Sequence, residues 1–166
     1  MILVVDGFNL IYKFPDLEIL MYENKLNEAR KGLLDNLLLF GKKRKQSKFH
    51  IFFDGKKEQG SMVVEDEFQG MRIYYSHDIK ADDHIKLFIR QSINASDLYL
   101  VSSDKDLIFY GKKYGCKLYK SEEFASLLNE TIQKNSKEEE KDSDLVLSKD
   151  EVNYWYDLFK GKKNAG

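Results

Sequence analysis

Cysteine and proline occur once each in the 166 residues, at Cys116 and Pro15. A single thiol excludes an intramolecular disulfide framework and a cysteine-rich zinc site, and it fits a reducing compartment. Charge of one sign is missing as well: 27 Lys+Arg stand against 28 Asp+Glu, a net charge of −1. That excludes a histone-like polycation but not a local basic patch. No apolar run approaches the roughly 18 residues of a membrane-spanning helix. The opening Met1-Ile2-Leu3-Val4-Val5-Asp6 has no basic segment and meets an acid at once. The expectation is therefore no signal peptide and a cytoplasmic protein. What is present is enough to fold: 42% hydrophobic and 13% aromatic residues exclude wholesale disorder and supply one sizeable core.

Short apolar runs alternate with amphipathic ones. Ile2–Val5, Phe49–Phe53, Met71–Tyr75, Leu98–Val101 and Cys116–Tyr119 read as buried strands. Between them, Asn24–Lys45 is helical, with Leu26, Ala29, Leu33, Leu37 and Phe40 at three- and four-residue steps. Asp82–Asn94, Asp106–Tyr114 and a segment from Ser121 through Leu128 read as further helices, whereas the stretch around Pro15 and Lys56–Gly60 read as loops. The pattern is α/β, with a central mostly parallel sheet flanked by helices. The domain is expected to span residues 1–135. A charged linker (136–147) follows, and then a C-terminal amphipathic helix (148–161) with Ser148 at its N-cap and Val152, Trp155, Tyr156 and Phe159 on one stripe.

The acids are informative by address. In an open parallel sheet, ligands bind beyond the carboxyl ends of the strands. Asp6 and Asp54 end the first two strands, Asp104 and Asp106 follow the fourth, and Asp82 and Asp83 open the helix before it. Like charges packed together raise one another's pKa, a cost that a divalent cation removes. Carboxylate oxygens without thiols select Mg²⁺ or Mn²⁺ rather than Zn²⁺. The metal set is Asp6, Asp82, Asp83, Asp104 and Asp106. Helical phase places Asp82 on the core-facing stripe with Ile85 and Ile89, and Asp83 about 100° round. Each acid also has a plainer duty. Asp104 is suited to capping the helix that follows, and Asp54-Gly55 to a turn.

In order, Asp6-Gly7-Phe8-Asn9, Phe52-Phe53-Asp54-Gly55, Lys80-Ala81-Asp82-Asp83-His84-Ile85 and Ser102-Ser103-Asp104 resemble the motifs of YacP-like NYN domains, in the PIN-like nuclease superfamily. The segment from Leu147 to Gly161 resembles the family's C-terminal helix. Gly55 stands where such proteins often carry Ala, and Asp106 matches general PIN-like patterns better than YacP ones. The resemblance implies a PIN-like three-layer fold and metal-dependent, endonucleolytic cleavage of RNA. Asp6, Asp82, Asp104 and Asn9 would be its catalytic residues.

An acidic pocket repels a polyanion, so cations must stand nearby. Lys13, Lys56, Lys57 and Lys105 fall in loops at the acidic edge and are the expected RNA contacts, with RNA single-stranded or presented on a ribosome. Lys42-Lys43-Arg44-Lys45 is denser, but it ends a helix antiparallel to the strands and is expected at the opposite edge. A haloacid-dehalogenase phosphatase needs Asp where Phe8 stands. A phosphoacceptor receiver domain needs its acids in another order. A non-catalytic RNA- or ribosome-binding module is the alternative of another class.

Overall fold

The computed structural model describes residues 1–134 and 136–140. The first of two units, Met1–Asn129, carries the whole sheet. In chain order it holds β1 (Ile2–Asp6), α1 (Gly7–Ile11), α2 (Pro15–Tyr22), α3 (Leu26–Lys43), β2 (Lys48–Asp54), β3 (Glu65–Phe68), β4 (Met71–Ser76), α4 (Ala81–Gln91), β5 (Leu98–Val101), α5 (Lys105–Lys113) and β6 (Lys117–Tyr119). Helix resumes at residue 121. The six strands lie in the order β3-β4-β2-β1-β5-β6, all parallel except β3, which runs antiparallel to β4.

Alternation along the strands builds two cores. Leu3 and Val5 of β1, with Ile51 and Phe53 of β2, face one cluster shared with Leu33, Leu37 and Phe40 of α3 and with Phe124 and Leu128. Val4 and Phe52 face the other, with Ile85 and Ile89 of α4 and Leu107 of α5. A sheet buried on both faces needs apolar residues at every position, which is why these strands read as continuous apolar runs. The result is three layers.

The five expected strands are all present, each within a residue or two of its expected ends. Three elements differ from expectation. Residues 7–22, read as a turn and a loop, form α1 and α2. Pro15 opens α2 at its first turn, where the missing N–H costs no hydrogen bond. Strand β3 has no counterpart among the expected strands. Its sequence Glu65-Asp66-Glu67-Phe68 is three-quarters acidic, which suits an exposed sheet edge. It joins β4 through Gln69-Gly70, both at positive φ (52° and 84°), the geometry of a tight two-residue hairpin.

In the second unit, residues 130–134 and 136–140 are helical. Lys137 to Glu140 are strong helix formers, so a charged run read as linker takes helical form there. The remainder of the expected linker and the helix expected at 148–161 lie outside the described residues. Among the described residues no helix is long and apolar enough to cross a membrane.

Candidate active site

Parallel strands place the ends of β1, β2, β4 and β5 on one edge of the sheet. Asp6 is the last residue of β1 and also the N-cap of α1. Its carboxylate does not cap that helix. Instead Oδ2 accepts a hydrogen bond from the Ser102 hydroxyl at 3.0 Å, across a separation of 96 residues. Ser102 is fully buried just beyond β5. The same hydroxyl oxygen accepts the backbone N–H of Asp104 at 3.1 Å. One side chain thus ties the first acid to the loop that carries another.

Asp104 caps α5. Its Oδ1 accepts the backbone N–H groups of Asp106 (2.9 Å) and Leu107 (3.1 Å). The plainer duty expected of it is real, but it uses one oxygen, and Oδ2 is not part of the cap. Asp54 has a similar part. At the end of β2 its Oδ1 accepts the N–H of Ala81 at 3.3 Å, the first residue of α4, whose own N-cap residue Lys80 makes no side-chain cap. Asp54 therefore anchors the helix that presents Asp82. Asp82 is half-buried and Asp83 exposed, as the helical phase implies.

The electrostatics of Asp6 show which acids stand near it. Burial raises its carboxyl most, the Ser102 hydrogen bond offsets part of that, and the charges of Asp82, Asp104 and Asp54 raise it further, from 3.8 to about 6. Four carboxylates from four segments therefore share one field. They are not drawn into a ready cage: among the described residues no three Asp, Glu, His or Cys side chains stand grouped to hold an ion. The donor set nevertheless fits a hard divalent cation in kind. It is all carboxylate oxygen, and its most buried member is one whose ionised form an added positive charge would favour.

The other sequence-predicted residues fall less centrally. Asp106 turns to Lys86 in an ion pair, with 69% of its side chain exposed. Charge from Asp83 and Asp82 acts on Lys86 as well, so this lysine screens the outer flank of the acidic edge. Asn9 acts as a clamp. Its Oδ1 accepts the N–H of Ser103 (3.0 Å) and the hydroxyl of Ser121 (2.6 Å), fixing α1 to the loop after β5 and to the start of the helix after β6. The Ser103 hydroxyl, followed by Lys13, which pairs with Glu122 at 3.0 Å, holds the Glu122 carboxyl down at about 2. Lys57 pairs with Asp66 at 2.6 Å. Lys56 and Lys105 are exposed. His84 packs edge-on against Phe52 and meets Ser76 Oγ through Nδ1 at 3.1 Å. Burial lowers its pKa, so it stays neutral near pH 7. The basic run at the end of α3 lies beside Met1, whose amino group donates to Gln46 O at 3.3 Å, at the far edge of the sheet.

Sequence reasoning passed over Ser102, Ser121 and Arg30. Ser102 stands in the Ser102-Ser103-Asp104 motif, but nothing local assigns either serine its bond, because the partners lie 96 and 112 residues away. Arg30 had a local signal: it stands four residues before Leu34 and seven before Leu37, on the buried stripe of α3.

Residues 3–160 match the YacP-like NYN domain family. The chain belongs to that family. YacP-like NYN domains are PIN-like and of nuclease type, which supports an RNA-related, nuclease-like function for this member. The crystal structure of Rae1 (YacP) from Bacillus subtilis is similar in fold, with a TM-score of 0.62 at 19% identity over 100% of this chain and 98% of that one. A mutant form of the same Bacillus subtilis protein gives 0.67 at 19% identity, over 86% and 83%. No curated protein matches the chain.

Proposed function

We propose that this YacP-like NYN protein is a divalent-metal-dependent endoribonuclease that cleaves RNA phosphodiester bonds, on mRNA or ribosome-associated RNA. The observation that carries the reading is the Asp6 carboxyl, raised to about 6 by burial and by Asp82, Asp104 and Asp54 around it. A fold that merely needed stability would gain by replacing such a group. Family membership supplies the reaction class. The distribution of acids along the strands makes the same case independently.

Asp6, Asp82 and the Oδ2 of Asp104 would hold Mg²⁺ or Mn²⁺, with Asp83 beside them. Bound there, such an ion supplies a more acidic water and neutralises charge on the phosphate. The chain's own residues do the positioning. Ser102 fixes the orientation of Asp6 and, through the Asp104 N–H, the spacing between two of the acids. Asp54 holds the start of α4, and so the placement of Asp82. Asn9 keeps α1 against the Ser103 loop and the helix start at Ser121, with its Nδ2 left to donate toward a phosphate oxygen. Cations at the rim draw in the polyanion that the acids repel.

The test is cleavage of labelled RNA by purified protein with Mg²⁺ or Mn²⁺, alone and with ribosomes. Asp6→Asn should abolish cutting, a loss of at least about 100-fold, while circular dichroism stays unchanged. Undiminished cutting by Asp6→Asn would reject the reading.

A further inference from the structure

A groove of about 500 Å³ opens at the acidic edge, between the first turn of α3 and the loop after β2. Helix α3 runs antiparallel to the strands, so its start lies with their carboxyl ends. Among the groove's lining residues are four cations, Lys25, Arg30, Lys56 and Lys57, against two acids, Glu28 and Glu58. It begins two residues beyond Asp54, past the positive-φ Gly55 (φ 86°) that turns the chain away from β2.

Arg30 makes this groove unusual. It is only 6% exposed. Its guanidinium lies 5.6, 5.7 and 5.6 Å from the ring centres of Phe8, Phe53 and Tyr75. Nη1 donates to Lys57 O (2.7 Å) and Asn27 Oδ1 (3.1 Å), and Nη2 donates to Lys56 O (3.1 Å). Buried Nε has no partner, and among the described residues no carboxylate pairs with the group. A buried charge without a counter-ion is costly. An anion seated in the groove would relieve that cost.

The cations above it are not equivalent. Lys57 is tied to Asp66 at 2.6 Å and Lys25 to Glu23 at 3.1 Å. Lys56 is exposed and has no ion-pair partner among the described residues, while its backbone is held by Arg30. Its exposed ammonium stands on a backbone that Arg30 holds.

We propose that this groove binds the phosphate backbone of RNA flanking the acidic centre, with Arg30 as the buried positive floor that holds the loop and Lys56 as the side chain that reaches the phosphate. This rests on the nuclease reading for the identity of the polyanion. Arg30 is a positioning residue, because its fork is occupied by carbonyl oxygens. The groove also resolves the tension at the centre: backbone held on its cations lets a neighbouring phosphate approach carboxylates that would otherwise repel it.

The test uses the full chain carrying Asp6→Asn, so that RNA is bound and not consumed. Fluorescence anisotropy with an unstructured 12-nucleotide RNA is read across salt. Lys56→Glu should weaken binding about 10-fold, and Lys56→Ala should lower the salt slope by about 0.7 for the lost phosphate contact. Arg30→Lys keeps the charge and loses the fork, and should weaken binding at least about threefold. Should Arg30→Lys not fold, the Lys56 variants decide. Lys42→Glu with Lys45→Glu, at the far edge, should stay within about twofold. Affinity unchanged in both Lys56 variants, or no RNA binding by the Asp6→Asn parent, would overturn the proposal. The two readings separate cleanly. Binding through the groove with no cleavage by the wild type removes the nuclease and leaves the subsite. Cleavage with unaltered KM in Lys56→Glu does the reverse.

Discussion

The two edges of one sheet hold their charged groups on different terms. At the amino edge, Lys42 and Lys43 end α3 and Arg44 is its C-cap, where cations favour the negative end of the helix dipole, and the exposed side chains of Lys45 and Lys48 follow, Lys48 as the first residue of β2. Arg44 lies over the Phe40 ring at 5.6 Å. These cations are at rest. At the carboxyl edge, Asp6 is buried among like charges and raised to about 6. The basic edge is explained by the fold alone. The acidic edge is not, and a charge arrangement that folding would discard is where function is sought.

That contrast is broken most directly on α4. Asp82→Asn should reduce RNA cleavage by about 100-fold or more, whereas Asp83→Asn, one residue on and exposed, should cost no more than about 10-fold. Kinetics on one RNA substrate would compare them; equal losses would mean that helical phase does not sort these acids.

Ser102→Ala comes next. It removes the hydrogen bond that lowers the Asp6 carboxyl and leaves the Asp104 N–H without its acceptor. Urea denaturation should show a loss of about 1–3 kcal/mol. The acid limb of the cleavage pH profile should move to higher pH, because Asp6 then ionises later.

Asp6 itself makes stability depend on pH. Its carboxyl ionises near 3.8 in the unfolded chain and near 6 in the fold. The native state therefore holds the proton more tightly. Stability from protonated Asp6 is fully present below about pH 4 and lost as pH rises through 6. One unit is about 1.4 kcal/mol, so roughly 3 kcal/mol separates the limits. Without divalent cations, Asp6→Asn should be more stable than the wild type by roughly 2–3 kcal/mol at pH 8, with the gap closing near pH 4. Denaturation at the two pH values checks this. At the amino edge the effect should be smallest: Lys42→Ala with Lys45→Ala should change stability by less than about 0.5 kcal/mol at either pH.

Much of this was legible in the sequence, for physical reasons. Strands buried on both faces announce themselves as apolar runs, and α3 and α4 as 3.6-residue stripes, so the layers and the edge holding the acids followed. The greater burial of Asp82 than of Asp83 followed from counting residues from Ile85. What stayed hidden depends on distant partners or on context. Pro15 looks like a breaker until a helix is allowed to begin with it. Strand β3 is acidic and borrows its pairing from β4. Ser102 is an ordinary hydroxyl until folding brings Asp6 to it. The division of labour among the lysines was also invisible: nothing local tells that Lys57 pairs with Asp66 while Lys56 does not.

The central claim is that the acids share their edge for the sake of a doubly charged ion. Calorimetric titration of Mn²⁺ into the full chain at pH 8 tests it without any RNA. The account predicts saturable binding by the wild type, lost in Asp6→Asn and in Asp82→Asn. No binding by the wild type, or the same isotherm in all three proteins, would contradict it.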